Sequence, residues 1–370
     1  MARFDENPEK IGNLRLRLLD WYAQHHRDLP WRRSTDPYAI WVSEIMLQQT
    51  RVAAVVERYQ AFLTLFPTVV SLSLAPEQEI LAMWSGLGYY RRARMLHKAA
   101  KFVAENLGGN LPNPSGQLQL LPGIGAYTAA AIASIAHGEC IAVVDGNVER
   151  VLCRLAGWEA GSRKGGGAPL RHKISGLAAR LLDRKRPGDF NQAIMELGAV
   201  VCLPRNPQCQ ICPLNADCTT RGEHKVPQRA PMTSRAVAHA LSVRTLRAAG
   251  KGRGPKAREV LLEQRSPRLT VMPGLWELPR LRHATVPERN LRMTVRHAIM
   301  RVNYYVRIRT VFEDDVEAMA TKGGLRRWVP LREAAGMALT GLTRKVLTRA
   351  GLLPTVPLDA IAPSRKEIVT

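Results

Sequence analysis

Apolar positions recur at helical spacing through the first half of the chain, in segments 14–21, 40–56, 80–84, 93–103 and 126–136. That period predicts helices with one buried face. Proline and glycine separate them, at Pro30, at Pro67, from Gly86 to Gly88 and from Pro112 to Pro114. Short connections between short helices predict a compact all-α domain. The character then changes. The stretch from Arg221 to Ala236, RGEHKVPQRAPMTSRA, has no period and reads as a linker. Beyond it, segments 237–247, 259–264 and 302–310 carry the alternating, β-branched pattern of strands. Segment 250–256, GKGRGPK, reads as a basic hairpin tip, and 331–351 has room for a helix or two. The expected organisation is multidomain: an all-α domain over 1–221, a linker over 222–236, a mixed α+β domain over 237–351 and a disordered tail over 352–370. No internal repeat is visible.

Charge adds a partner. The chain of 370 residues holds 54 Lys and Arg against 31 Asp and Glu, a formal charge of +23. Such an excess implies a polyanion, with nucleic acid ahead of an anionic membrane surface. The N-terminal MARFDENPEK has no secretory pattern, and the longest apolar stretch, 126–136, is too short for a bilayer. A monomeric cytoplasmic protein, nucleoid-associated if the source is bacterial, is the expectation.

Three motifs carry chemistry. The first is LLPGIGAYTAA at 120–130. Pro122, Gly123 and Gly125 predict a tight turn that opens directly into a small-residue helix. A helix start there aims free N–H groups at an anion, and two glycines let a ligand approach the backbone. The second is a pair of carboxylates. Asp145, in VVDGNVERVLCR, precedes a helix and is placed to cap it. Glu44, in AIWVSEIMLQQT, sits among apolar neighbours, where a carboxylate finds a partner, faces a pocket or shifts its pKa upward. One protonated and one ionised carboxyl group suit glycosidic cleavage. The third is Cys202-x6-Cys209-x2-Cys212-x5-Cys218. Four such thiols in a reducing compartment suit either zinc or an iron–sulfur cluster. Cys140 and Cys153 read as small core residues.

Together these segments resemble the endonuclease III/MutY superfamily of helix-hairpin-helix glycosylases, and the MutY adenine glycosylases closely over 1–221. The resemblance rests on LPWR (29–32), DPYAIWVSEIMLQQTRV (36–52), WSGLGYYRRAR (84–94), LPGIGAYTA (121–129), VDGNVERVLCR (144–154) and NQAIMELGAVVC (191–202). It implies excision of a mispaired adenine from double-stranded DNA, with Glu44 protonating the base and Asp145 stabilising the sugar cation. Tyr127 and Asn147 become hydrogen-bonding helpers. Tyr127 occupies the slot where strand-cleaving relatives carry a Schiff-base lysine, so the chain is expected to be monofunctional. Trp31 and Arg32 would line the adenine pocket. Gln49, with Gln48, and Tyr89 would fill or wedge the stack that a flipped base leaves. Gly123 and Gly125 would grip a phosphate, and the four cysteines would hold a 4Fe–4S cluster.

The second domain resembles the Nudix-like (MutT-like) domain of the same family, most clearly in GLWELP at 274–279. The Nudix catalytic glutamates are missing, which argues against pyrophosphatase activity. The family's loop for the oxidised base has the form H-x-F-S/T-H. Here it reads HAIMR: His297 matches, while Ile299, Met300 and Arg301 replace the Phe, Ser/Thr and His, so the hydroxyl is absent. Ile299 can wedge and Arg301 can donate, so 8-oxoguanine and guanine both stay open as the opposite base. Rival readings are a thymine or oxidised-pyrimidine glycosylase, a non-catalytic DNA-bound redox sensor and a free-nucleotide hydrolase.

Overall fold

The computed structural model describes residues 8–159, 167–224, 231–246, 257–321 and 324–353. These fall into two compact units, one of residues up to 48 and 98–229, the other of 49–97 and 230 onward. The predicted hairpin tip at 250–256, and all but the first two residues of the predicted tail, lie outside the described residues.

The first unit is helical. Its helices are α1 (Pro8–His25), α2 (Pro37–Leu47), the second half of α6 (Arg91–Asn106), α7 (Ser115–Leu118), α8 (Ala126–His137), α9 (Gly146–Ala156), α10 (Gly167–Leu181) and α11 (Pro187–Val200). Leu14 and Leu18 of α1, Val148 and Leu152 of α9, Leu177 of α10 and Phe190 and Ile194 of α11 interdigitate in one core. Helix α2 is buried on every side from Tyr38 to Met46, as a central helix must be. Alanine-rich α8 lies against it, because small side chains allow close approach.

The second unit joins α3 (Val52–Leu65), α4 (Val69–Leu74), α5 (Glu77–Met83) and the start of α6 to all the strands. The strands are β1 (Thr233–Leu241), β2 (Val243–Leu246), β3 (Ala257–Gln264), β4 (Trp276–Glu277), β5 (Leu291–Ile299), β6 (Val302–Thr310) and β7 (Arg326–Pro330). One sheet has the order β1-β6-β5, with β1 parallel to β6 and β5 antiparallel to it. The other has the order β2-β3-β4, with β7 also on β3. Helices α12 (Glu313–Met319), α13 (Leu331–Ala334) and α14 (Gly341–Arg349) complete this α+β part. Val237, Val260, Val306, Val329 and Leu347 meet in its core.

Four local expectations need correcting. The apolar run 40–56 is two helices, broken between Leu47 and Val52 where Gln49 turns to φ +56°. Within the predicted segment 237–247, residues 237–241 and 243–246 belong to two strands split at Ser242, and residue 247 lies outside the described residues. His297 and Ile299 are not in a loop: they end β5, opposite Tyr304 and Val302, and the turn is Met300 and Arg301. Strand β5, absent from the expected strands, alternates regularly between exposed and inward positions, with only Val295 fully buried. Cys140 is exposed, beyond the glycine cap of α8, and its thiol points at the Arg184 carbonyl.

Candidate active site

Helix α2 carries Glu44 into the interior, where it is 4% exposed. Its Oε2 accepts a 2.6 Å hydrogen bond from the Tyr127 hydroxyl, which α8 supplies. Burial pushes Glu44 up to about 7; the Tyr127 donor pulls the other way, the Asp145 charge adds to the rise and Arg32 opposes it. Tyr127 is itself held well above its ordinary range by burial and by Glu44, so it stays a neutral donor.

Asp145 caps α9, as its place before the helix predicted. Its Oδ1 accepts from the backbone N–H of Asn147 (2.9 Å) and Val148 (2.7 Å), and Oδ2 accepts from Asn147 Nδ2 (3.0 Å). Burial raises its pKa, and these three donors work against that rise. Asn147 is fixed in turn by Arg150, whose Nη2 donates to its Oδ1 at 2.9 Å and to the Gly198 carbonyl at 2.7 Å. Gly198 of α11 has to lack a side chain, since a Cβ there would lie 2.7 Å from that of Asn147. One carboxyl group thus favours its proton, while the other is wrapped in N–H donors suited to an anion.

The sequence reading missed Glu196 and Arg27. Glu196, on α11, is 1% exposed. It accepts from Arg27 Nε (2.8 Å) and Nη2 (2.7 Å), and from Arg32 Nη2 (2.7 Å). Burial alone would raise its pKa, but the two guanidinium groups hold it down at about 2. Arg32 is therefore engaged by Glu196 and by the Arg27 carbonyl, with its guanidinium over the Tyr22 ring. The partners are 164 and 169 residues apart, so no local spacing signals them; only a glutamate inside the apolar run AIMELGAV hints at one. Trp31 is buried in the same short turn, Pro30–Arg32. Gln48 ends α2 and reaches Thr128 of α8 at 3.3 Å.

In the hairpin, Gly123 takes φ +80° while Gly125 is extended, and α8 starts at Ala126 with no side-chain cap on its N-terminal amides. In the second unit, Gln49 and Tyr89 both hold left-handed backbones, φ +56° and +47°, and Tyr89 is 52% exposed. Non-glycine residues seldom tolerate that region. His297 and Ile299 line a cavity of about 460 Å³ with Arg265, Glu277, Tyr304 and His239. Burial, and then Lys345, lower the His297 pKa. Arg301 is exposed.

Cys202, Cys209, Cys212 and Cys218 surround one small cavity. Four thiols lining one space fit a cluster that takes four cysteine ligands. Burial, with the charges of the other three sulfurs, pushes Cys212 up to about 11, so four thiolates here need positive charge among them. Arg154 lines the same cavity. It donates to the Cys202 sulfur at 3.3 Å, and its buried Nε finds no partner among the described residues. A free N–H beside the thiols suits sulfur acceptors of an enclosed cluster.

Comparison with known proteins agrees with this geometry. Residues 42–165 match the HhH-GPD superfamily base excision DNA repair protein model. The structure of a thermostable thymine-DNA glycosylase is similar, with a TM-score of 0.52 at 30% identity over 58% of this chain and 97% of that one. The chain belongs to the HhH-GPD superfamily. Residues 202–218 of this superfamily member match the iron-sulfur binding domain of endonuclease III, and its cofactor is a 4Fe–4S cluster. Among curated relatives, the adenine DNA glycosylase of Homo sapiens is 49% identical over 213 residues, 55% of this chain and 38% of that protein. That of Arabidopsis thaliana is 42% identical over 241 residues, 58% of this chain and 37% of that protein. The chain thus spans about two-fifths of these relatives' length. No helix among the described residues is long and apolar enough to cross a membrane.

Proposed function

We propose that the chain is a monofunctional adenine DNA glycosylase of base excision repair, acting on adenine opposite 8-oxoguanine or guanine in double-stranded DNA. The observation that carries this reading is a buried glutamic acid with a pKa of about 7, hydrogen-bonded to a tyrosine rather than to an amine. Glu44 protonates the departing purine, which is a poor leaving group until it is protonated. Asp145, ionised within its donors, faces the sugar as positive charge develops there. With no lysine at Tyr127, water completes the reaction. Tyr127 orients Glu44, and Asn147 orients Asp145.

The uncapped start of α8 and the Gly123–Gly125 turn grip a backbone phosphate. Trp31 and Arg32 border the base pocket, and Gln48, Gln49 and Tyr89 fill the gap left by the flipped base. Cys202, Cys209, Cys212 and Cys218 would hold the cluster, whose part is to fold this loop and present basic residues to phosphate. His297, Ile299 and Arg301, on the Nudix-like module, read the base opposite.

The test is base release from duplexes carrying A opposite 8-oxoguanine, G or C, and T opposite G. Release of adenine from the first two and retention of thymine is expected. Thymine release with adenine untouched would overturn the reading, and the 30% identical thymine-DNA glycosylase makes that arm necessary.

Acidity gives a second expectation. Single-turnover excision should fall as pH rises through about 7, because Glu44 then loses the proton it must donate. It should also fall on the acid side as Asp145, with its raised pKa, becomes neutral. A rate that keeps climbing well above pH 7 would remove Glu44 from this role.

A further inference from the structure

The segment WSGLGYY (84–90) presents Tyr89 from a loop fastened on several sides within the second unit. Trp84 Nε1 and Arg92 Nη2 both donate to the Gly88 carbonyl at 3.1 Å. Arg92 also donates to the Leu87 carbonyl, as does the Thr50 hydroxyl, and its guanidinium lies over the Tyr89 ring. Arg58 Nε donates to the Ser85 carbonyl at 2.7 Å. Gly86 turns at φ +95° against Arg58, and a Cβ there would come within 2.6 Å of that guanidinium.

The remaining fastenings come from 179 to 259 residues further along the chain. Arg344, on α14, donates from Nε to Ser85 Oγ at 2.9 Å. Its terminal nitrogens donate to the carbonyls of Ala335 and Met337 (3.2–3.3 Å), which anchors it in its own module. The Tyr90 hydroxyl donates to the Leu339 carbonyl at 3.3 Å. Arg94 Nη2 reaches the Pro273 carbonyl at 2.7 Å. Arg344 has no carboxylate partner among the described residues: all its donors go to neutral oxygens. A half-buried arginine spent in this way contributes geometry, through a rigid fork of donors, more than charge neutralisation.

We propose that Arg344 is a positioning residue for Tyr89: it ties the C-terminal module to Ser85 and so sets the angle at which the Tyr89 ring meets the duplex. This rests on the assignment of Tyr89 as the wedge. The module that reads the opposite base and the loop that enters the stack then move as one body. An opposite base that seats the module badly also misplaces the wedge, and discrimination enters at the flipping step.

The experiment is a double-mutant cycle in the full-length, cluster-loaded protein. Single-turnover adenine excision is measured alongside the fluorescence of 2-aminopurine at the flipped position. Arg344→Met and Ser85→Ala, which cut the same bond from opposite ends, should each slow excision and the fluorescence rise by about 10- to 100-fold, as small misplacements of reacting groups do. In a Tyr89→Ala background the same changes should cost less than about twofold, because the residue they act through is gone. Costs that multiply in that background would overturn the proposal, since a merely structural role damages both backgrounds alike. If Tyr89→Ala alone changes nothing, the wedge assignment and the proposal fall together. If the unmodified protein releases no adenine, the adenine reading fails, and the fluorescence arm still decides whether Arg344 acts through Tyr89.

Discussion

Glu44→Gln is expected to lower adenine excision by about 10²- to 10⁴-fold, the usual contribution of a positioned proton donor, while duplex binding is retained. The amide keeps the shape of the side chain and can still accept from Tyr127. What disappears is the proton. The same substitution should stabilise the fold, and the direction follows from linkage. A carboxyl group moved from its ordinary 4.5 to about 7 holds a proton in the folded chain that the unfolded chain releases. Between those values the unfolded state binds fewer protons, so stability falls as pH rises. Above pH 7 the cost is fully present, on the order of 3 kcal/mol for a shift of this size. Glu44→Gln should therefore melt several degrees higher than the unmodified protein in mild alkali, with the gap closing toward pH 4.5. Normal excision by the variant would unseat Glu44 as the acid. An unchanged melting temperature at alkaline pH would show that the raised pKa is not felt by the fold.

Removal of Glu196 should have the largest effect on stability. Glu196→Ala leaves Arg27 and Arg32 facing each other around an emptied buried site. Breaking a buried pair by removing one partner costs about 3–5 kcal/mol, because the remaining charge is left uncompensated. A fall in melting temperature of roughly 10 °C follows for a unit of this size. The pH dependence runs opposite to that of Glu44. With its pKa held near 2, Glu196 contributes stability that is complete above the usual carboxylate range and is lost as pH falls from about 4.5 toward 2. Thermal melts of Glu196→Ala and the unmodified protein should therefore diverge near neutrality and converge in acid. Equal melting temperatures at pH 7 would refute the pair as a stabilising unit.

These two glutamates also mark what the sequence made legible. Glu44 stood out because the run AIWVSEIML surrounds a carboxylate with apolar neighbours. Asp145 stood out as the residue before a helix, and it does cap α9. Both are local signals. Glu196 is equally buried, but its meaning lies in two arginines far away in the chain, and only folding brings them together. The grouping of residues 49–97 with the strands has no local signal either. Hydrophobic period marks only the start of α3 and the end of α5, and their place beside the strands depends on contacts such as Arg94 to Pro273 and Tyr90 to Leu339. In the C-terminal part, β5 turns Arg292, Thr294, Arg296 and Ala298 outward, and on its other face only Val295 is fully buried. Its alternation is regular, but the expectation of a loop around His297 hid the strand that runs into it.

The left-handed backbones of Gln49 and Tyr89 set two demands that no single genetically encoded residue meets. Glycine or asparagine would relax the main chain at either place, whereas the proposed function asks each position for a broad or long side chain to fill the space a flipped base vacates. Saturation libraries at 49 and 89 should therefore sort along two axes: clones enriched by heat challenge gather at glycine and asparagine, and clones enriched by repair keep the side chain and its strain. Chemical synthesis offers an escape that selection lacks, because a residue of D configuration favours this region of backbone space while keeping its ring. A semisynthetic protein with D-tyrosine at 89 should gain stability from the main chain, and its activity would report how far the mirrored side chain can still reach the stack.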